Sequence, residues 1–404
     1  MQTGSAKLPS QFYDVIVVGA GPAGNYAAGE LASLGHKVAV LEQKETPDIG
    51  ICCTGIISPE CFDSFGVTPE VILTRANSAK FFSPSGKSFR LKTEKVQAYV
   101  VDSAYFNLAI AARAKAQGAT YFLSSRVSDV AIKKDEVQIE ALCLRQKELF
   151  KTRAVILATG FKPELTQSLG MGKIKHFLIG AQAVVKTKSI DEIEVYFSQE
   201  VAPGFFAWLV PISADKALAG VISPYHAGLY LKKFLASSFC QGKVVGDEAE
   251  IRQKVIPLGT LPRTYGDRVL VIGDAAGQVK PTTGGGIYFG HLGAKIATEV
   301  LGDALNTDDL TAARLSCYQR QWRTKIGREI RLGYWVRQAY ARLNDRQVER
   351  IFNFLDSGGV TKALLNSPNF FFDWHSRLIL AGLKYSLVHP LRKIWYLLSR
   401  EAGS

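Results

Sequence analysis

Two rhythms of apolar and polar positions divide this chain. In the first half, short unbroken apolar runs dominate. Val15–Val18 is a β-branched run of the kind expected for a strand buried on both faces. Ala23–Leu34 then places apolar residues at helical spacing in an Ala-rich stretch, and Gly35 supplies a stop. Lys37–Leu41 reads as a second strand, and the same rhythm returns at Tyr121–Leu123, Ser125–Val130, Ala154–Ala158 and Val269–Ile272. An apolar helix is expected to open near Thr282 and run to about Leu301. Beyond Leu310 the period is helical: Tyr318–Arg337, then an amphipathic Arg342–Leu355 ended by Ser357-Gly358-Gly359, then Asn369–Arg400, where Pro390 starts a last short helix. Strands separated by helices predict an α/β fold.

The first strand runs directly into Gly19, Gly21 and Gly24, a GxGxxG read as Gly-Ala-Gly-Pro22-Ala23-Gly. Each glycine has a physical reason. Gly19 allows the tight turn, Gly21 lets the backbone approach a pyrophosphate, and Gly24 lets the helix lie close on the sheet. The helix start offers free N–H donors and the positive end of its dipole. Glu42 ends the second strand 18 residues after Gly24, placed to accept from a ribose and to repel a 2′-phosphate. Strand, glycines, helix, strand and acid in this order predict dinucleotide binding.

A second constellation separates FAD from NAD. Val269–Ile272 ends in Gly273-Asp274, and Thr282-Thr283-Gly284-Gly285-Gly286-Ile287 follows as a helix start. An acid there can hold a ribityl chain. Bare N–H groups at a glycine-rich helix start can face the pyrimidine edge of a flavin, where negative charge develops on reduction. More than half the chain separates the two motifs, which fits a nucleotide fold interrupted by an insertion. FAD is the expected cofactor. Thr159-Gly160 ends another strand of the same set, and Val127 is read either as a backbone contact to adenine or as plain core.

Composition narrows the class without changing the fold. Of 404 residues, 47% are apolar and 21% charged, which excludes a disordered tail and a disulfide scaffold. The net charge of +13 favours an anionic neighbour. Six cysteines, without a repeated CxxC pair, are expected to be reduced thiols, and no metal site is expected. No signal peptide or membrane-spanning stretch is read, so a cytoplasmic protein is expected. The mixed basic and aromatic C-terminal helices suit either peripheral contact with a membrane surface or a cap over a substrate channel. Nucleic acid is not an expected partner, since no recognition motif is present.

Taken with GAGPAG and Glu42, three further stretches resemble the geranylgeranyl reductase family of FAD-dependent, glutathione-reductase-like proteins over roughly residues 13–350. They are Cys53-Thr54-Gly55-Ile56-Ile57-Ser58, the run from Pro203 through Phe206 and Trp208 to Pro211, and GDAAGQVKPTTGGGIYFG. The second is similar to the family's P-x-x-Y-x-W-x-F-P, with Phe206 for Tyr and Val210 for Phe. Ser103 and Asn107 stand where the family often has Arg and Asp. The resemblance implies an FAD-binding Rossmann-like domain (12–60, 95–165 and 263–305), an inserted antiparallel-sheet substrate domain (61–94 and 166–262) and a C-terminal helical region (306–404).

The activity it implies is hydride transfer from reduced flavin to a C=C bond of a prenyl chain, followed by protonation. The implied partners are a prenyl-lipid or prenyl-diphosphate substrate and an electron donor. With no second GxGxxG, that donor is expected to be transiently bound NAD(P)H or an acidic protein such as reduced ferredoxin. Cys53 is implied beside the flavin and is a candidate proton donor, while Phe206 and Trp208 are candidates for an apolar slot. Cys52 is read as packing, and His291 as a core or surface histidine. Two other classes stay open. One is a flavin monooxygenase or halogenase, because Phe206-Ala-Trp208-Leu-Val210-Pro211 partly echoes W-x-W-x-I-P. The other is a flavin-bearing lipid binder or electron-transfer subunit.

Overall fold

The computed structural model describes residues 12–188, 190–246, 250–357 and 372–374. Apart from 372–374, the stretch read over Asn369–Arg400, with its helix at Pro390, lies outside the described residues, as does the turn at Gly358-Gly359.

Five parallel strands form the centre of an eight-stranded sheet, in the order Val269–Val271, Gln146–Leu157, Phe12–Val18, Val38–Leu41, Thr120–Phe122. A parallel sheet must be covered on both faces, which is why these strands are continuous apolar runs. Val15, Val17, Val38, Val40, Ala154 and Ile156 face the helices Pro22–Ser33, Ser103–Ala116 and Ile287–Asn306. Ile16, Val18, Ala39, Leu41, Val155 and Leu157 face the other way, against Met171, Ile174, Leu261 and the hairpin of Ser125–Ile132 with Val137–Cys143. Strand Gln146–Leu157 is longer than its apolar run suggests. Its first half pairs antiparallel with that hairpin and its second half parallel with Phe12–Val18.

A second eight-stranded sheet runs Val244–Val245, Phe177–Thr187, Lys216–Ser223, Ala207–Pro211, Ile193–Tyr196, Ser78–Phe82, Ser88–Lys92, with Arg252–Pro257 also on Phe177–Thr187. It is mixed rather than wholly antiparallel. Ile193–Tyr196 and Ser78–Phe82 come from segments far apart in the chain and pair parallel. A small sheet of Ile56–Ile57, Ala98–Val101 and Ile72–Ala76 stands beside these two.

The helix boundaries differ from those the periodicity predicted. The helix expected to open near Thr282 begins after the glycines, as Ile287–Asn306, and runs past the expected end at Leu301. Ala312–Tyr340 is one 29-residue helix, begun by Thr311, whose hydroxyl accepts from the Arg314 N–H. Leu315, Tyr318, Trp322, Ile326 and Ile330 carry its buried stripe. The next helix is Asp345–Ser357 rather than Arg342–Leu355. No helix among the described residues is long and apolar enough to cross a membrane.

His291 belongs to the core. Its ring packs 4.3 Å from Tyr26 and 4.6 Å from Phe65, and burial pushes its pKa down to about 4. The folded protein therefore refuses a proton that the unfolded chain takes up below about 6.5. Stability is expected to fall by about 3 kcal/mol as pH drops from 6.5 toward 4. His291→Phe, which suits the same aromatic slot, should flatten that part of the denaturation-against-pH curve; an unchanged slope would assign the acid sensitivity elsewhere.

Candidate active site

One cavity of about 1500 Å³ runs from the glycine loop at the first sheet to the aromatic strand of the second, and all candidate site residues named above line it. Single-ligand pockets usually hold roughly 300–1,000 Å³. This one has room for a second molecule beside a dinucleotide.

The glycine loop is built without spare space on its inner side. A Cβ on Gly19 would lie 2.5 Å from the Ala158 carbonyl oxygen, and one on Gly24 would lie 2.1 Å from that of Gly19. A Cβ on Gly21 would meet nothing within 4 Å, so its bare backbone faces the cavity. Glu42 Oε2 accepts from the Ala20 N–H at 2.7 Å and Oε1 from the Lys44 N–H at 3.0 Å. The acid thus ties the loop to its own strand end. Asn107, where the resemblance expects Asp, donates to the carbonyls of Ala20 and Pro47, both at 2.9 Å. Its Oδ1 accepts from Asn25 at 3.1 Å, so a neutral amide pair does the bracing. Thr159 Oγ1 is buried on the cavity side with no partner among the described residues.

At the second motif, Asp274 Oδ2 holds Lys254 at 2.7 Å. A Cβ on Gly286 would come within 2.6 Å of Asp274 Oδ1, so only glycine lets the helix start close over that carboxylate. The Lys280 N–H donates to the Gly285 carbonyl at 3.0 Å, and Lys280 Nζ pairs with buried Asp373 at 2.7 Å. Tyr288 donates to Glu60 at 2.5 Å, and burial beside that acid raises its pKa.

The thiol segment arrives from the opposite side. The Cys53 carbonyl accepts from Ser103 Oγ at 3.1 Å and Gln182 Nε2 at 3.3 Å. Thr54 donates to Gln182 Oε1 at 2.8 Å. Ser103, standing for the expected Arg, is therefore a backbone brace. Cys52 donates weakly to the Arg252 carbonyl at 3.5 Å, and burial pushes its thiol up to about 11. Phe206 stacks on Phe205 at 4.6 Å and meets Trp208 edge-on at 6.0 Å. Trp208 fits because position 220 is glycine: a Cβ there would lie 2.1 Å from its Cζ2. Sequence reasoning missed Lys254, Gln182 and Asp373. Each comes from a distant segment with no local pattern to announce it. It saw Arg337 only as one of several basic residues on a helix.

A family model for pyridine nucleotide-disulphide oxidoreductases matches residues 13–195. The digeranylgeranylglycerophospholipid reductase of Methanocaldococcus jannaschii is 30% identical over 352 residues, covering 84% of this chain and 89% of that protein. The chain belongs to the geranylgeranyl reductase family. The reductase of the same name from Methanothrix thermoacetophila is 28% identical over 368 residues, covering 86% of this chain and 93% of the relative. Among solved structures, a geranylgeranyl bacteriochlorophyll reductase-like protein from Thermoplasma acidophilum superposes with a TM-score of 0.82 at 19% identity, covering 96% and 99% of the two chains. A myxobacterial chondrochloren halogenase superposes with a TM-score of 0.64 at 15% identity, covering 95% and 90%, and shares the fold.

As a geranylgeranyl reductase family member, the protein is an FAD-dependent oxidoreductase. The cavity suits that group on its own terms. The bare Gly21 backbone, the helix start at Pro22 and the unpartnered Thr159 hydroxyl are what a bound dinucleotide would satisfy.

Proposed function

We propose that this reductase saturates C=C bonds of a prenyl lipid, in a cavity that joins the nucleotide cradle to an apolar, aromatic slot without a break. That continuity is the observation that carries the reading. FAD would lie with its pyrophosphate at Gly21, Pro22, Ala23 and Gly24, a ribose at Glu42 and its adenine near Val127. Asp274 would hold the ribityl chain. Cys53, Thr54, Gly55, Gly160, Gly285, Gly286 and Ile287 would flank the ring. Reduced FAD supplies two electrons and a proton as hydride; the second proton must come from the protein or water.

The chain's own residues prepare the rest. Phe205, Phe206 and Trp208 offer an apolar wall that positions the alkene and excludes water. Cys53 is the proposed proton donor. Either NAD(P)H or an acidic electron-transfer protein is proposed to reduce the flavin, the latter suited by the +13 charge. A place at the cytoplasmic membrane surface is proposed on the same grounds as the lipid substrate.

Anaerobic reduction with dithionite, followed by addition of geranylgeranyl substrates, tests the reading directly. Flavin reoxidation should accompany a gain of two mass units per double bond reduced. Oxidation only on admission of oxygen, with an oxygenated or halogenated product, would replace it with the monooxygenase class. Tight lipid binding without turnover would point to a binding protein.

A further inference from the structure

We propose that Arg337 is the anchor of an anion-binding corner that takes the phosphate head of the prenyl substrate, at the aromatic end of the cavity. This rests on the prenyl-reductase reading.

Arg337 lies on the inner face of helix Ala312–Tyr340 and is 7% exposed. It lines the cavity. Among the described residues no carboxylate lies within ion-pair distance of it, and its Nε has no hydrogen-bond partner. Its close electrostatic contacts are the Phe205 ring, 5.8 Å from the guanidinium carbon, and the Tyr334 phenol, neither of them a carboxylate. A second donor stands near Arg337, outside the residues that line the cavity. Gln199 Oε1 accepts from the Gly204 N–H at 2.7 Å, its Nε2 is buried with no partner among the described residues, and a Cβ on Gly204 would lie 3.7 Å from Arg337 Nη2. The carboxylate in this corner is already engaged: Asp345 accepts from the Gln199 N–H at 2.7 Å and from Ser198 Oγ at 3.3 Å. Tyr340 donates to the Phe205 carbonyl at 2.9 Å.

A guanidinium cannot shed its charge, and burying it unpaired is costly. The neighbouring cations differ in this respect, because Lys254 holds Asp274 and Lys280 holds Asp373. Among the described residues nothing supplies a counter-charge to Arg337, and an anionic ligand would provide it. Its planar fork suits a phosphate, which it can bind through two parallel N–H donors.

The placement agrees with the chemistry. Gly333 packs against Pro281 and Thr282, with Cβ-position distances of 3.2 and 3.3 Å. Arg337, four residues further along, is about 6 Å down the helix axis. A phosphate held there would direct its chain back past Phe206 and Trp208 toward Gly284–Gly286, with the double bonds nearest the head arriving first.

The test compares geranylgeranyl diphosphate with geranylgeraniol in the dithionite-reduced holoenzyme, for wild type and Arg337→Met. The kcat/KM ratio of phosphate-headed to neutral substrate is expected to fall about 10- to 100-fold in the variant. Its Tm should match or exceed that of wild type, since an uncompensated buried charge has been removed. Equal losses on both substrates with a lowered Tm would make Arg337 structural and overturn the proposal. If Arg337→Met fails to fold, wild type answers instead: inorganic pyrophosphate should compete with geranylgeranyl diphosphate and raise Tm, and the absence of both effects would overturn the proposal. With NADPH as reductant, slower flavin reduction in the variant at an unchanged substrate ratio would assign the anion to the nucleotide, against the proposal. Failure of wild type to reduce either prenyl substrate would sink the function reading alone, since pyrophosphate binding lost in Arg337→Met would still establish the anion corner.

Discussion

Gly24→Val is expected to yield a protein that binds FAD about 100-fold more weakly, read from the flavin-to-protein absorbance ratio after purification. The cause is local and severe. A Cβ at this position would lie 2.1 Å from the Gly19 carbonyl oxygen and 3.1 Å from the Ala158 Cβ. The first is backbone and cannot rotate away. Gly19 itself is held at φ +107°, where other residues are strained, with the Ala158 backbone 2.5 Å from its own Cβ position. The helix must therefore back off from the strands, and the loop loses the Asn25 and Asn107 bonds to the Ala20 carbonyl at 3.0 and 2.9 Å. Gly21→Ala is the contrast. Nothing lies within 4 Å of its added methyl, so the apoprotein should fold normally and lose affinity only where a ligand approaches the backbone. Wild-type flavin content in Gly24→Val would overturn the account of the cradle.

Local rules made that cradle legible in advance. Gly19, Gly21, Gly24 and Glu42 sit in one strand–helix–strand unit, and Gly273, Asp274, Gly285 and Gly286 in another. Backbone requirements alone dictate such residues, so they can be read without knowing the rest of the fold. The residues that complete the cavity obey no such rule. Lys254 reaches Asp274 from an antiparallel strand, and Gln182 reaches Cys53 and Thr54 from another; both contacts depend on how two sheets meet. The mixed pairing of Ile193–Tyr196 with Ser78–Phe82 was hidden for the same reason. Arg337 is a different case. It continues the buried stripe of Tyr318, Trp322, Ile326, Ile330 and Gly333 at helical spacing, so its inward position was present in the period. The surrounding Arg320, Arg323, Arg328 and Arg331 masked it as one more basic residue on a solvated helix.

Cys53→Ala is expected to slow prenyl reduction by about 10²- to 10⁴-fold, the usual worth of a positioned proton donor, with FAD content unchanged. The backbone at residue 53 is fixed from both sides by Ser103 and Gln182, and Gly55, at φ +71°, makes the turn that follows. A Cβ on Gly55 would lie 2.3 Å from the Val101 carbonyl, so this turn cannot relax into another path. Its sulfur makes no hydrogen bond among the described residues and lines the cavity. Cys52 lines the same cavity, but its thiol is turned to the Arg252 carbonyl, and burial pushes its pKa up to about 11. Cys52→Ala should therefore cost far less than Cys53→Ala, which separates a specific thiol from a general loss of packing. Cys53→Ser keeps an exchangeable proton at nearly the same place and should fall between wild type and Cys53→Ala. The rate to follow is anaerobic reoxidation of reduced flavin by the alkene, because it excludes the reductant's step. Wild-type rates in Cys53→Ala would take the thiol out of the mechanism. Water in the open part of the cavity would then be the proton source, and the braced turn at residues 53–55 would serve to hold the substrate rather than to protonate it.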